Sequence, residues 1–280
     1  MADDHPHTLH GGTLGTLPIP EGVAGIDAGM TLTKIARGTG DGVLLAAHET
    51  GSPPVGGAID ARVGITGALL GRVQERTGAV RVQEIDAAAR GVIALLESEG
   101  RSGGGEFVLA LLGTGTAFAA VRDGVVSHLG GTPMGGGSFA GIARRVDPTL
   151  AYEAMIAGAE RGDRRRVDTM ISDLYPEGIG RVGPDLTAAH LSRAAEGSLD
   201  DFLAGLLNLH GENIAQIGAS RAVIAKIPRM VLAGGFAHHN PALVASISSM
   251  AQLFGIEVET SPAPGFAGAV GAALVAAESN

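Results

Sequence analysis

Two stretches of this chain carry the same short device: an apolar strand runs into a turn of glycine and threonine and returns as a second strand. The first is Val23-Ala24-Gly25-Ile26-Asp27, followed by Ala28-Gly29-Met30-Thr31 and a return over Leu32–Ala36. The second is Phe107–Leu112, followed by Gly113-Thr114-Gly115-Thr116 and a return over Phe118–Val121. Such a turn can present several backbone N–H groups and a hydroxyl to one phosphate. One in each half of the chain calls for two α/β lobes that grip a nucleotide in the cleft between them.

The rest of the composition fits that picture. Glycine supplies 45 of 280 residues, about twice the average usage, and clusters beside apolar runs rather than at a three-residue period. Tight turns and close backbone approach to a ligand use glycine in this way. The net charge is −9 and the only basic cluster is Arg164-Arg165-Arg166, so no nucleic-acid partner is expected. There are no cysteines, which excludes disulfides and thiolate chemistry. No apolar run reaches the ~18 residues of a membrane span; the richest, Phe266–Ala277, is broken by Gly268 and Gly271. A soluble, cytoplasmic protein is expected.

The periodicities divide the chain into a flexible tail (residues 1–21), a first lobe (22–105) and a second lobe (106–280). The first lobe is read as strands at Val23–Asp27, Leu32–Ala36, Val43–His48 and Val63–Thr66, then a helix over Ile85–Gly100. In the second, the strand and hairpin at Phe107–His128 lead to a helix opened by Gly135-Gly136-Gly137. Helices are expected over about 149–161, 163–174 and 185–196. A long helix begins at Ser198-Leu199-Asp200-Asp201 and runs toward Ile227. A strand at Met230–Ala233, a helix at Pro241–Phe254, a strand at Ile256–Glu259 and a helix at Gly268–Glu278 complete the pattern.

Several residues are candidates for chemistry. Asp27 offers a carboxylate for Mg²⁺, directly or through water, and Lys34 a compact positive charge. Glu84, in Val82-Gln83-Glu84-Ile85-Asp86, is placed to accept the proton of an alcohol during phosphoryl transfer. It reads equally as a helix-start carboxylate favoured by the helix dipole. Gly135-Gly136-Gly137-Ser138-Phe139 makes an anion site or close ligand approach at a helix start, or else a plain glycine loop. His238-His239-Asn240-Pro241, after Gly234-Gly235-Phe236, is better explained by an Asn240 helix cap with Pro241 in the first turn than by metal binding. His5, His7 and His10 in the tail read as adventitious.

Taken together, Gly25–Lys34, Glu84-Ile85-Asp86-Ala87-Ala88, Gly113–Thr116, Gly135–Phe139, Gly162-Asp163 and Gly265–Ala272 resemble the type II, eukaryotic-like pantothenate kinases. These belong to the acetate and sugar kinase/actin/heat-shock ATPase superfamily. The resemblance implies a two-lobed, actin-like (ribonuclease H-like) ATPase fold, with the nucleotide in the interlobe cleft. It implies ATP-dependent phosphorylation of the terminal hydroxyl of pantothenate to 4'-phosphopantothenate, the first step of coenzyme A synthesis. Glu84 is then the catalytic base, with Mg²⁺ assisted by Asp27. The resemblance places Gly29, Met30, Thr31, Leu32, Thr33 and Lys34 at the phosphates and Thr114 between ATP and substrate. It places Gly136, Gly137, Ser138, Phe139 and Ala140 along the nucleotide, with Tyr152 and Gly235 near its adenosine end. The family is homodimeric, and the helix around Phe202–Ile224 is the implied interface element.

Two positions depart from the family pattern. Met30 stands where the first turn normally carries a second glycine, and a positive φ there would strain methionine by roughly 1–2 kcal/mol. His128 stands where the family carries an arginine that contacts substrate. Two further readings follow from these positions: a kinase for a related alcohol such as pantetheine or a pantothenamide, and a catalytically weak nucleotide- or acyl-CoA-binding pseudokinase.

Overall fold

A computed structural model describes residues 9–14, 17–50, 62–69 and 79–279. Eleven of its strands form two mixed sheets. The first contains β1 (Leu9–Leu14), β2 (Val23–Ala28), β3 (Leu32–Thr39), β4 (Gly42–Glu49), β5 (Arg62–Thr66) and β6 (Val80–Arg81), in the order β1-β4-β3-β2-β5-β6. The second contains β7 (Phe107–Leu112), β8 (Thr116–Arg122), β9 (Val125–Thr132), β12 (Arg229–Ala233) and β13 (Glu257–Thr260), in the order β13-β12-β7-β8-β9. Without the edge strand β1, both sheets have one topology. An antiparallel three-strand meander comes first, and two later strands are added in parallel on the side of the first strand. The duplicated turn seen in the sequence is the first hairpin of each sheet.

Helices separate and cover the sheets. α1 (Glu84–Ser98) and α7 (Ala267–Glu278) share a core with Ala36, Val43 and Leu45 of the first sheet and with Phe107, Leu109 and Val231 of the second. They form a helical layer between the sheets. Beyond the second sheet lie α2 (Gly136–Val146), α3 (Tyr152–Arg161), α5 (Leu199–Ala225) and α6 (Pro241–Gln252). Their core takes the alternate strand residues Val108, Ala110 and Leu112. A strand buried on both faces reads as one continuous apolar run, as Phe107–Leu112 does.

Glycine sets the depth of the packing in the helical layer. A Cβ at Gly64 of β5 would lie 1.9 Å from the Ala272 carbonyl oxygen, and one at Gly91 of α1 1.9 Å from that of Ala267. Gly271 of α7 faces the Ala87 carbonyl at 1.8 Å by the same measure. The last helix therefore touches the first sheet and α1 backbone to backbone, although the sequence reading grouped it with the second lobe.

Three further differences from the sequence reading have physical causes. Order begins before Val23: β1 pairs antiparallel with β4, and Leu17 and Ile19 are buried in the core, so residues 9–14 and 17–20 are not tail. His5 and His7 lie outside the described residues. The helices expected over 163–174 and 185–196 are replaced by a short ribbon of β10 (Thr169–Met170) and β11 (Thr187–Ala189), with one turn of helix, α4 (Ile171–Leu174), between them. Polar groups that a solvated helix would expose are used inside. Asp168 is fully buried and accepts from the Leu191 N–H at 2.7 Å, and Thr187 Oγ1 donates to Glu212 of α5 at 3.2 Å. The expected interface helix, finally, is mostly interior. α5 starts as read, on a Ser198–Asp201 capping box, but most of it is buried or half-buried, and its exposed large hydrophobics are Val223 and Ile224 of the last turn. Among the described residues no helix is long and apolar enough to cross a membrane.

Gly271→Ala tests the packing. Overpacking against rigid backbone outweighs the ~1 kcal/mol helix-propensity gain, so a loss of about 3 kcal/mol and a Tm lowered by roughly 6–12 °C are expected in thermal denaturation. Gly104→Ala, where an added methyl meets nothing within 4 Å, leaves Tm unchanged.

Candidate active site

The two hairpin turns open onto one cleft of about 1710 Å³. Asp27, Gly29, Met30, Thr31, Leu32 and Lys34 form one wall, and Gly113–Thr116 with Gly136, Gly137 and Ala140 form the other. Glu84 stands at the start of α1, and His128 (β9), Tyr152 (α3) and Gly235 also line the space. Most of the residues expected at the site are thus brought together.

The hairpin register makes the charge pair. Asp27 of β2 lies directly opposite Lys34 of β3, where opposite charges attract across the ladder. Lys34 Nζ donates to Asp27 Oδ2 at 3.3 Å, and both side chains are largely buried. A Cβ at Gly67 would come within 2.6 Å of Asp27 Oδ1, and one at Gly268 within 3.2 Å of Oδ2, so glycine keeps the surroundings of this carboxylate clear. Thr66, its register partner on β5, is fully buried with an unpaired hydroxyl. Among the described residues no group of three or more His, Cys, Asp or Glu could hold a metal. One hard carboxylate still fits Mg²⁺, which keeps several waters and takes phosphate oxygens for the rest of its shell.

Glu84 opens onto the cleft near this pair. Glu84 keeps an exposed face, but the protein around it partly desolvates the carboxylate and raises its pKa; the Asp27 charge raises it further, and Lys34 offsets part of the rise. Asp27 is thus the ion-paired carboxylate of the site, and Glu84 has no ion-pair partner among the described residues and is held above the ordinary glutamate value.

The second turn is held by backbone. Gly136 N–H donates to the Gly113 carbonyl at 2.9 Å and Gly137 N–H to the Thr114 carbonyl at 3.0 Å. A Cβ at Gly137 would lie 2.4 Å from Thr114 Cγ2, which only glycine avoids. With these two N–H groups already used, Gly136 and Gly137 offer a ligand a wall free of side chains rather than hydrogen-bond donors.

Three expected site residues turn their side chains elsewhere. Thr33 alternates with Leu32 and Lys34 along β3, so its hydroxyl faces Thr50 Oγ1 at 3.3 Å instead of the cleft. Phe139 is fully buried against Phe236. Ser138 bonds Gly135 and His210. Met30 is not among the residues with positive φ, so the expected strain is absent, and its side chain is 63% exposed. The pseudokinase reading loses that support.

The sequence reading missed Thr50 and His238. Thr50 Oγ1 donates to the Gly29 carbonyl at 2.8 Å and pins the first turn, a tertiary contact with no local signal. His238 lines the cleft beside Phe266, and its position two residues after Gly234-Gly235-Phe236 was the available clue. Burial, then His239 and Lys34, lower its pKa to about 4. Burial of the Tyr152 phenol, helped by Glu153, raises its pKa and keeps it neutral.

Comparison with known proteins agrees with this geometry. The profile of the family described as Fumble matches residues 106–275. The chain belongs to the Fumble family. Curated relatives similar to this Fumble protein include type II pantothenate kinases of Staphylococcus haemolyticus (28% identity, covering 89% of this chain and 97% of the relative) and Bacillus anthracis (28%, covering 82% and 88%). Among solved structures, an activator of 2-hydroxyisocaproyl-CoA dehydratase from Clostridium difficile with bound ADPNP superposes with a TM-score of 0.64 (18% identity, covering 91% of this chain and 94% of that one). A ROK family glucokinase from Streptomyces griseus gives 0.52 (18%, covering 92% and 99%). The actin-like fold expected from the motifs is borne out, as is the resemblance that suggested it.

In an NMR titration the His238 imidazole should stay neutral from pH 8 down to about 5 and protonate near pH 4. A midpoint near the ordinary 6.5 would show that the ring is not held in this buried, cationic setting.

Proposed function

We propose that this Fumble protein transfers the γ-phosphoryl group of ATP to the terminal hydroxyl of pantothenate, forming 4'-phosphopantothenate. The carrying observation is Glu84: a carboxylate made more basic by its surroundings, at the wall of a cleft shared with the Asp27–Lys34 pair and both glycine turns. The names of the curated relatives support the same reaction.

The chain's residues divide the work. Lys34 exchanges part of its pairing with Asp27 for the phosphates, and the turns at Gly29–Thr31 and Gly113–Thr116 hold them in line with the acceptor. Bound Mg²⁺, held by Asp27 directly or through water, supplies charge neutralisation at the phosphate oxygens. Glu84 accepts the proton as the hydroxyl oxygen bonds to phosphorus, and the bond from phosphorus to the leaving ADP oxygen breaks. Gly136, Gly137 and Ala140 border the nucleotide, with Tyr152 and Gly235 toward adenosine. The enzyme works in the cytoplasm as a homodimer.

Glu84→Gln keeps the size and hydrogen bonding of the side chain but removes the base. A kcat lower by roughly 10²–10⁴ with nearly unchanged ATP affinity is expected. In the wild type, the acid limb of the pH–rate profile should lie above the ordinary glutamate value of 4.5 and vanish in the variant. Near-normal turnover would remove Glu84 from the mechanism.

One observation favours a second acceptor class. Among the described residues lining the cleft, the permanent cations are Lys34 and Arg144, and His128 stands where a family arginine would meet the substrate. An imidazole cannot make the bidentate, permanently charged contact that a guanidinium offers a carboxylate. An acceptor without that anion, pantetheine or a pantothenamide, suits such a site. His128→Arg should lower KM for pantothenate more than for pantetheine in paired assays at pH 7.5, and an equal change would mean that His128 meets the part they share.

A further inference from the structure

Behind the glycine wall of the cleft, the long helix α5 carries a histidine that the proposed reaction does not use. His210 is 1% exposed. Its Nδ1 lies 2.9 Å from the Leu206 carbonyl oxygen and its Nε2 2.8 Å from Ser138 Oγ. A carbonyl only accepts, so Nδ1 carries the proton, and in the neutral ring Nε2 is an acceptor. Burial lowers the His210 pKa and favours that neutral ring. The Ser138 hydroxyl then donates to Nε2, leaving its oxygen to accept the Gly135 N–H at 3.1 Å. The ring has little room to tilt. Phe139 and Phe236 meet it edge-on, at centroid separations of 5.9 and 6.1 Å and interplanar angles of 86°.

We propose that His210 is a positioning residue for the nucleotide: through Ser138 it fixes Gly135, and so holds the Gly135–Gly137 segment against the Gly113–Thr114 turn that borders the cleft. This rests on the kinase reading of the cleft. Without His210, the Ser138 hydroxyl has an alternative partner in its own turn, the Gly135 carbonyl at 3.1 Å. The loop would then lose its tie to the rigid α5 while the fold around it stands. Among the described residues no hydrogen bond or ion pair joins His210 to Glu84, so the acceptor should not sense the change.

The test uses the full-length protein and compares His210→Leu, His210→Gln, Ser138→Ala and the His210→Leu/Ser138→Ala double variant. Turnover of pantothenate by the wild type decides the kinase reading separately. Titration with a non-hydrolysable ATP analogue and Mg²⁺ reads the loop whether or not that acceptor is correct. His210→Leu should weaken analogue binding and raise KM for ATP about tenfold, with KM for the acceptor within about twofold. Glutamine can offer its amide oxygen near the Nε2 position, so His210→Gln should recover most of the loss. Ser138→Ala should match His210→Leu, and the double variant should be no worse than either, because both break one connection. Additive losses would overturn the proposal, as would a lowered Tm with unchanged analogue affinity. If His210→Leu does not fold, unchanged analogue affinity in Ser138→Ala overturns it equally.

Discussion

The backbone contact between the last helix and the first sheet is the constraint on which the site depends. Helix α7 presents Ala267-Gly268-Ala269-Val270-Gly271-Ala272, and its carbonyls sit against Gly25, Gly64 and Gly91 where no side chain fits between. That seating brings Gly268 beside the Asp27 carboxylate and packs α7 along α1, the helix that carries Glu84 at its first position. The proposed base, the proposed metal ligand and the start of the final helix are therefore placed by one close-packed seam. Dense packing transmits small displacements, so a methyl group anywhere along the seam would be felt at the cleft.

Polar geometry is built on this frame in two ways. On the first sheet, a hairpin register puts Asp27 opposite Lys34, and strand pairing alone makes the ion pair. On the second, the turn is held by main-chain bonds between Gly113–Thr114 and Gly136–Gly137, and from behind by Ser138 and His210. One wall thus carries charge and the other carries backbone. A buried, extended polyanion such as a triphosphate needs both: opposite charge to offset its desolvation, and walls close enough to exclude water.

The ribbon between α3 and α5 shows where pattern reading met its limit. Leu186, Leu191 and the arginines of residues 161–166 have spacing that a helix would accept. Asp168 and Glu212 decide otherwise, because two buried carboxylates need partners, and Thr187, His190 and the Leu191 N–H reach them only from a folded-back chain. Satisfying a buried charge outweighs local helix propensity.

Much of the fold was legible because local rules and global topology agree. Apolar runs mark β2 and β7, Ser198 with Asp201 marks the start of α5, and the glycine–threonine turns mark the paired hairpins. The same motifs brought Asp27, Lys34, Glu84 and Thr114 into the candidate site, since turn chemistry and helix starts are local properties. The orientation of a side chain and the partner it meets are not local. Thr33 faces away because of the strand pleat, Ser138 because a histidine 72 positions later reaches it, and Met30 escapes strain because its turn has no positive φ. Burial of His238 and the raised basicity of Glu84 likewise arise from neighbours far apart in the chain. By itself the sequence determined the two hairpin turns and the residue types at the cleft, because short-range sterics and hydrogen bonding set them. Tertiary structure alone decided which of those residues face the cleft and in what charge state, because desolvation and Coulomb interaction depend on distances that only packing establishes.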